Sequence, residues 1–155
     1  MRKVPLGTTI AYGMPGLGAG YMYLLMSLYV MKFSTDVLLI APAVMGVIFS
    51  ISRIWDAVSD PIAGYLSDRT TFKFGRRRTW MLISFIPISF GFLAVFSPPE
   101  SMQGQSLDLW MMIAILSFYS AITLLNVPHM ALGAELSEDY HERTRLFGVR
   151  HIGFT

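Results

Sequence analysis

The chain has 155 residues, of which 54% are hydrophobic and only 14% charged, and its mean hydropathy is positive. That balance is too apolar for a soluble domain of this length, so a bilayer is the solvent to assume. Cysteine is absent, which excludes a disulfide framework and a thiolate metal site, and the basic residues are few and gathered at one expected membrane face, which gives nucleic-acid binding little support.

A spanning helix needs roughly 20 mainly apolar residues. Runs of that order without charge extend over 4–31, 37–52, 79–97 and 109–134, which predicts four spans. Arg2 and Lys3 precede a run far longer than the roughly 7 to 15 apolar residues of a secretory signal, so the first run reads as a retained helix. Span one, about 10–33, opens with Gly13, Pro15, Gly16, Gly18 and Gly20, small residues that let another helix or a ligand approach the backbone. Span two runs over about 41–66, with Pro42 at a tolerated first-turn position. Span three covers 79–97 and is ended by Pro98 and Pro99, and span four covers 108–134 with Pro128 interrupting its inner end. The acids and then bases of 135–145 predict a short surface helix with Ser137 as N-cap, and the apolar turn from Leu146 predicts the start of a fifth span that the sequence does not finish.

The distribution of Lys and Arg sets the orientation. Arg2 and Lys3, then Arg69, Lys73, Arg76, Arg77 and Arg78, then Arg143 and Arg145 all fall on one side, whereas the opposite loops carry only Lys32. This predicts a cytoplasmic N-terminus in a multi-pass protein of a plasma membrane, with membrane lipid as a partner.

Laid on a 100° wheel, span two places Gly46, Phe49, Ser50, Arg53, Asp56, Ala57, Asp60 and Gly64 on one face. Val44, Ile48, Ile51, Trp55, Val58, Ile62 and Leu66 fall on the opposite, lipid-like face. Asp56 is expected roughly 22 Å from the outer end and about 15 Å from the inner one, with Asp60 one turn nearer the cytoplasm. A carboxylate at the centre of a spanning helix costs about 2.5 to 3.5 kcal/mol, so two on one face require water, a cation or a partner. Arg53 neutralises one of them, and a hard monovalent cation, sodium or a proton, balances the other. The alternative is a fixed ion-pair cluster that holds helices together.

Span four carries Tyr119, Thr123, Asn126 and Met130 as a stripe at spacings of three and four. Asn126 offers an amide oxygen as a ligand, and Pro128 frees the carbonyl of Leu124 at a similar depth; the alternative is a proline kink with Asn126 satisfied by a neighbouring helix. In the cytoplasmic loop, Asp68 among Arg69, Arg76, Arg77 and Arg78 predicts a breakable charge pair between helix ends, beside the plainer role of basic residues in topology and headgroup contact. His129, His141 and His151 lack metal-ligand spacing, and no catalytic constellation or cofactor motif stands out. An intramembrane enzyme using His129 or Glu135 is the remote alternative.

The run from Arg53 to Pro61, followed by Gly64 to Asp68 and Gly75 to Arg78, resembles the glycoside-pentoside-hexuronide:cation symporter family, the melibiose-permease branch of the major facilitator superfamily. The segments 126–128 and 131–145 are similar to that family's fourth helix and the loop after it. The resemblance implies an all-α integral membrane protein with a major facilitator-type helical bundle. Such proteins have twelve helices in two six-helix halves, so residues 1–155 correspond to an incomplete N-terminal half, with the remaining helices as partners. It further implies alternating-access symport of a small solute, a sugar or glycoside, with sodium or a proton as coupling ion and no other cofactor.

By the same resemblance Asp56 and Asp60 match the acids that bind the cation, and the polar stripe of span four adds Thr123 and Asn126 as further candidate ligands. Arg150 matches a fifth-helix arginine near the sugar, with Tyr119, Asn126 and Gly20 as further substrate positions; Arg53, Asp68, Arg69, Arg76 and Arg77 form the gating network. The sequence departs from the pattern at Asn126, where melibiose-type members carry an aspartate, at Met130, where they carry a tryptophan, and at Gly20, which stands in place of a first-helix acid. Those departures leave room for a non-sugar solute such as a lysolipid, and a non-transporting membrane protein that packs on a partner is the rival of another class.

Overall fold

The computed structural model describes residues 5–70, 75–136 and 139–154. These form five α-helices: α1 (Leu6–Lys32), α2 (Pro42–Arg69), α3 (Arg76–Phe96), α4 (Gln105–Leu136) and α5 (Tyr140–Phe154). α1 widens at its outer end into a single π-helical turn, Phe33–Val37, where Leu38 N–H bonds back to the carbonyl of Phe33 at 3.1 Å. Leu39 then takes a left-handed conformation (φ 57°), which reverses the chain into Ala41 and the N1 proline of α2. At the inner end Gly75 (φ 98°) occupies the N-cap of α3, a conformation open to glycine and strained for other residues.

Helices α1 to α4 cover the four long apolar runs, with shifted ends. α2 continues to Arg69, about one turn beyond the apolar run, and is closed by the Thr70 N–H bonding to the carbonyl of Leu66 at 3.2 Å. Asp56 consequently lies about 21 Å from the outer end of α2 and about 20 Å from the inner one, closer to the middle than the apolar run alone implied. No separate surface helix forms from 135–145 among the described residues: Leu136 ends α4, and Tyr140 opens α5, which runs through Leu146 without a break. The proposed cap Ser137 lies outside the described residues. α4 is α-helical through Pro128, so that proline does not end it.

α3 and α4 form the most extensive helix pair, α1 packs on α5, and α2 packs on α4. The shared core is built from Met26, Met45, Ile88, Met111, Ile115 and Phe118, all within 1% of complete burial. Gly91 permits the close α3–α4 approach, since a Cβ there would stand 2.9 Å from Phe118 Cα. Trp110 donates its indole N–H to the carbonyl of Ala94 at 2.9 Å across the same seam.

α3 and α4 are long and apolar enough to cross a membrane by length and composition. α3 turns Leu82, Ile86, Phe90 and Leu93 outward at helical spacing, as α1 does with Ile10, Met14, Leu17 and Tyr21. Stripes of this kind belong against lipid or further helices, not water.

Candidate functional site

The buried stripe of α2 is Met45, Ile48, Ser52, Ala63 and Ser67, which falls between the two faces drawn from the wheel and takes only Ile48 from the lipid-like one. Packing against α4 selects this stripe and leaves the face with Arg53 and Asp60 open. Trp55, assigned to the lipid-facing side, is exposed and also donates its indole N–H to Ser120 Oγ on α4 at 2.7 Å. A buried or half-buried indole seeks an acceptor for its single N–H, and Ser120 is the hydroxyl within reach.

Arg53 Nη1 lies 3.4 Å from Asp56 Oδ2, one helical turn away on α2. The guanidinium also covers the face of Tyr119, 5.3 Å from the ring centroid, and Tyr119 meets Tyr23 of α1 edge-on at 6.1 Å. The second oxygen of Asp56, Oδ1, is buried and has no hydrogen-bond partner among the described residues. A turn further inward, Thr123 on α4 donates its hydroxyl to Asp60 Oδ1 at 3.0 Å. Two carboxylates, one guanidinium and a hydroxyl therefore share one stretch of the α2–α4 surface, with one charge of −1 left over among these groups.

Of the two groupings expected for Asn126, with the carboxylates and with Arg150, the described contacts show the second. Its Oδ1 accepts from Arg150 Nη2 at 3.1 Å, and Arg150 Nε points at His129 Nδ1 at 3.4 Å. His129 Nε2 lies 2.7 Å from the carbonyl of Tyr12, and the Tyr12 hydroxyl donates to the carbonyl of His129 at 3.0 Å. Gly20 is buried on α1, and Met130 is exposed on α4.

At the inner end Arg77 of α3 bridges Asp68 of α2 at 3.2 Å and Glu135 of α4 at 3.1 Å. The charge pair expected at Asp68 is thus present, and Glu135 is a third member that the sequence reading left out of it. Arg69 stacks on Tyr65, 4.5 Å from the ring centroid, and the side chain of Arg76 lies outside the described residues. Tyr12, His129 and Glu135 all escaped the sequence reading as members of this site. The spacing Asn126–His129–Gly133, three and four residues along α4, was the available signal for one face turned to α1 and α5.

Residues 11–155 match the family model described as MFS/sugar transport protein. An uncharacterized symporter of Synechocystis sp. is 36% identical over 153 residues, covering 96% of this chain and 28% of that protein. The isoprimeverose transporter of Lactiplantibacillus pentosus is 26% identical, covering 96% of this chain and 31% of the transporter. The zebrafish (Danio rerio) sodium-dependent lysophosphatidylcholine symporter 1-A is 33% identical over 112 residues, 72% of this chain and 21% of that protein. The chain thus spans about a third or less of the length of these curated relatives. Its helical architecture, outward apolar stripes and family match agree: the chain belongs to the MFS/sugar transport protein family, a family of membrane transporters within the major facilitator superfamily.

Proposed function

We propose that this chain forms the N-terminal part of a cation-coupled symporter, in which Asp56 and Asp60 bind the coupling ion and Arg150 faces the solute. The observation that carries this reading is the pairing on α2: Asp56 keeps one buried oxygen free of hydrogen bonds, while Asp60 one turn away holds only the Thr123 hydroxyl among the contacts described. Summed with Arg53, the pair carries one excess negative charge, which a bound sodium ion or proton cancels at mid-membrane depth. Neutralising it stabilises the arrangement of α2 against α4, and the ion and solute then cross together as the two halves of the complete transporter rock.

A glycoside or other small sugar is the proposed solute, supported by the family description and by the relative named for isoprimeverose. A lysolipid is the second reading, favoured by the similarity to the lysophosphatidylcholine symporter and by Gly20, which contributes no polar group on α1. Catalysis is disfavoured: His129 and Glu135 are both engaged, by Tyr12 with Arg150 and by Arg77 respectively. We place the protein in a bacterial inner membrane with its N-terminus in the cytoplasm.

The test is uptake of a labelled methyl glycoside into proteoliposomes holding the complete transporter, with imposed sodium or pH gradients. Asp56→Asn and Asp60→Asn are expected to insert normally and to lose cation-driven uptake. Unchanged ion dependence in both variants would sink the assignment.

A further inference from the structure

We infer that His129 is a positioning residue, a neutral imidazole locked in the Nε2–H tautomer whose Nδ1 lone pair aims the Arg150 guanidinium. The inference deepens the proposed function and rests on its reading of Arg150 as the group that meets the solute.

The tautomer follows from the partners. His129 is 1% exposed, and its Nε2 lies 2.7 Å from the carbonyl oxygen of Tyr12, which can only accept, so Nε2 carries a proton. Its Nδ1 faces Arg150 Nε at 3.4 Å, and a guanidinium N–H can only donate, so Nδ1 must present its lone pair. Both ring nitrogens therefore have fixed and opposite roles. The ring is further held by Tyr12, whose ring centroid lies 4.5 Å away and whose hydroxyl returns to the His129 carbonyl.

The backbone is adapted to this contact. A methyl group at Gly133 would land on the Tyr12 hydroxyl, and one at Gly13 would stand 2.8 Å from Val149 Cγ1 on α5. α1, α4 and α5 thus meet closely around a polar centre.

Arg150 is held at two points, by His129 Nδ1 and by Asn126 Oδ1. Both acceptors are neutral, so the clamp orients the guanidinium without cancelling its charge, and its other N–H groups remain for a solute rich in acceptor oxygens. The titratable or charged side chains set against His129 are Tyr12 from α1 and Arg150 from α5. A proton added at Nδ1 would remove the acceptor and set an imidazolium against the guanidinium, opening the clamp.

Two variants separate positioning from packing. His129→Asn puts an amide oxygen near the position of Nδ1 and keeps an acceptor for Arg150, whereas His129→Gln puts its amide near Nε2 and keeps only the bond to Tyr12. In the complete transporter, labelled with nitrogen-15 histidine and arginine, the His129 Nδ1 resonance is expected to be that of an unprotonated acceptor. Exchange of the Arg150 Nε–H is expected to be slow in the wild type and in His129→Asn, and faster by about tenfold in His129→Gln, the scale of one lost charge-assisted hydrogen bond. A protonated Nδ1, or equal exchange in His129→Gln and the wild type, overturns the inference.

For uptake of a labelled methyl glycoside, KM is expected to rise about tenfold in His129→Gln with kcat nearly unchanged, and to stay near wild type in His129→Asn. If Arg150→Ala raises KM and His129→Gln does not, this inference alone fails. An unchanged KM in Arg150→Ala removes the solute contact itself and the inference with it. If the wild type takes up no methyl glycoside, the glycoside reading fails and the exchange measurement decides the clamp.

Discussion

Thr123 reaches Asp60 across the α2–α4 interface, hydroxyl to carboxylate at 3.0 Å, and so ties the proposed ion site to a second helix. The threonine hydroxyl still has lone pairs to offer a cation while its proton is directed at Asp60. Thr123→Val keeps the side chain's shape and removes both capacities. It is expected to weaken half-saturation by the coupling cation about tenfold, the scale of one hydrogen bond to a charged group. Thr123→Ser is expected to stay near wild type, and titration of cation-driven uptake in the complete transporter checks both.

The bridge from Arg77 to Asp68 and Glu135 joins the inner ends of α2, α3 and α4 through one guanidinium. Asp68 and Glu135 are about half exposed, so water screens each pair, and each is expected to contribute about 1 kcal/mol or less. Both acids meet the same nitrogen, Nη2, so Arg77→Lys, whose ammonium is likewise a single donor nitrogen, is expected to keep most of this contribution. A double-mutant cycle of Arg77→Ala with Asp68→Asn, read by thermal unfolding in detergent, should show a coupling that shrinks as salt is raised.

Glycines on α1 and α3 separate into two kinds. A Cβ at Gly91 would meet the backbone of Phe118, which cannot swing aside, whereas a Cβ at Gly18 meets nothing within 4 Å. Gly91→Ala is expected to destabilise by about 1 to 3 kcal/mol, the usual cost of overpacking. Gly18→Ala is expected to be neutral or slightly stabilising, because alanine is the better helix former by about 1 kcal/mol. Thermal unfolding of the two variants in the same detergent makes the comparison.

Gly75 offers a backbone test at the N-cap of α3. Its φ of 98° lies where an L side chain is strained, so Gly75→Ala is expected to cost about 1 to 2 kcal/mol even though the space around it is open. Its ψ of 144° lies outside the left-handed helical region that asparagine tolerates, so Gly75→Asn should lose about as much on the same measurement.

Much of the architecture was legible in the sequence because each helix is announced by its own run of apolar residues and its own breakers. Pro42 opens α2, Pro98 follows the end of α3, and the basic cluster at 76–78 begins α3 at a membrane face. The candidate site was legible one helix at a time. A wheel gives the angle between Asp56 and Asp60 and puts Thr123 and Asn126 on one stripe of α4, but it holds no information on which neighbour each residue meets. That is why the wheel gives no sign that the exposed Trp55 bonds to Ser120, and why Asn126 was expected both with the carboxylates and with Arg150 when its amide oxygen faces Arg150. The reach of α5 was hidden for another reason: its first turns, from Tyr140 to Arg145, are polar, so hydropathy marks its start only at Leu146.

Thr123 and Asn126 stand three residues apart on α4, within one turn of a single continuous rod. The first grips α2 through Asp60, and the second grips α5 through Arg150. A helix transmits twist about its own axis almost without loss over so short a distance, so turning α4 enough to pull Thr123 from Asp60 also swings Asn126 relative to Arg150. The two polar centres are geared to one shaft, and a change in the grip of either is felt at the other without any intervening chain of side chains.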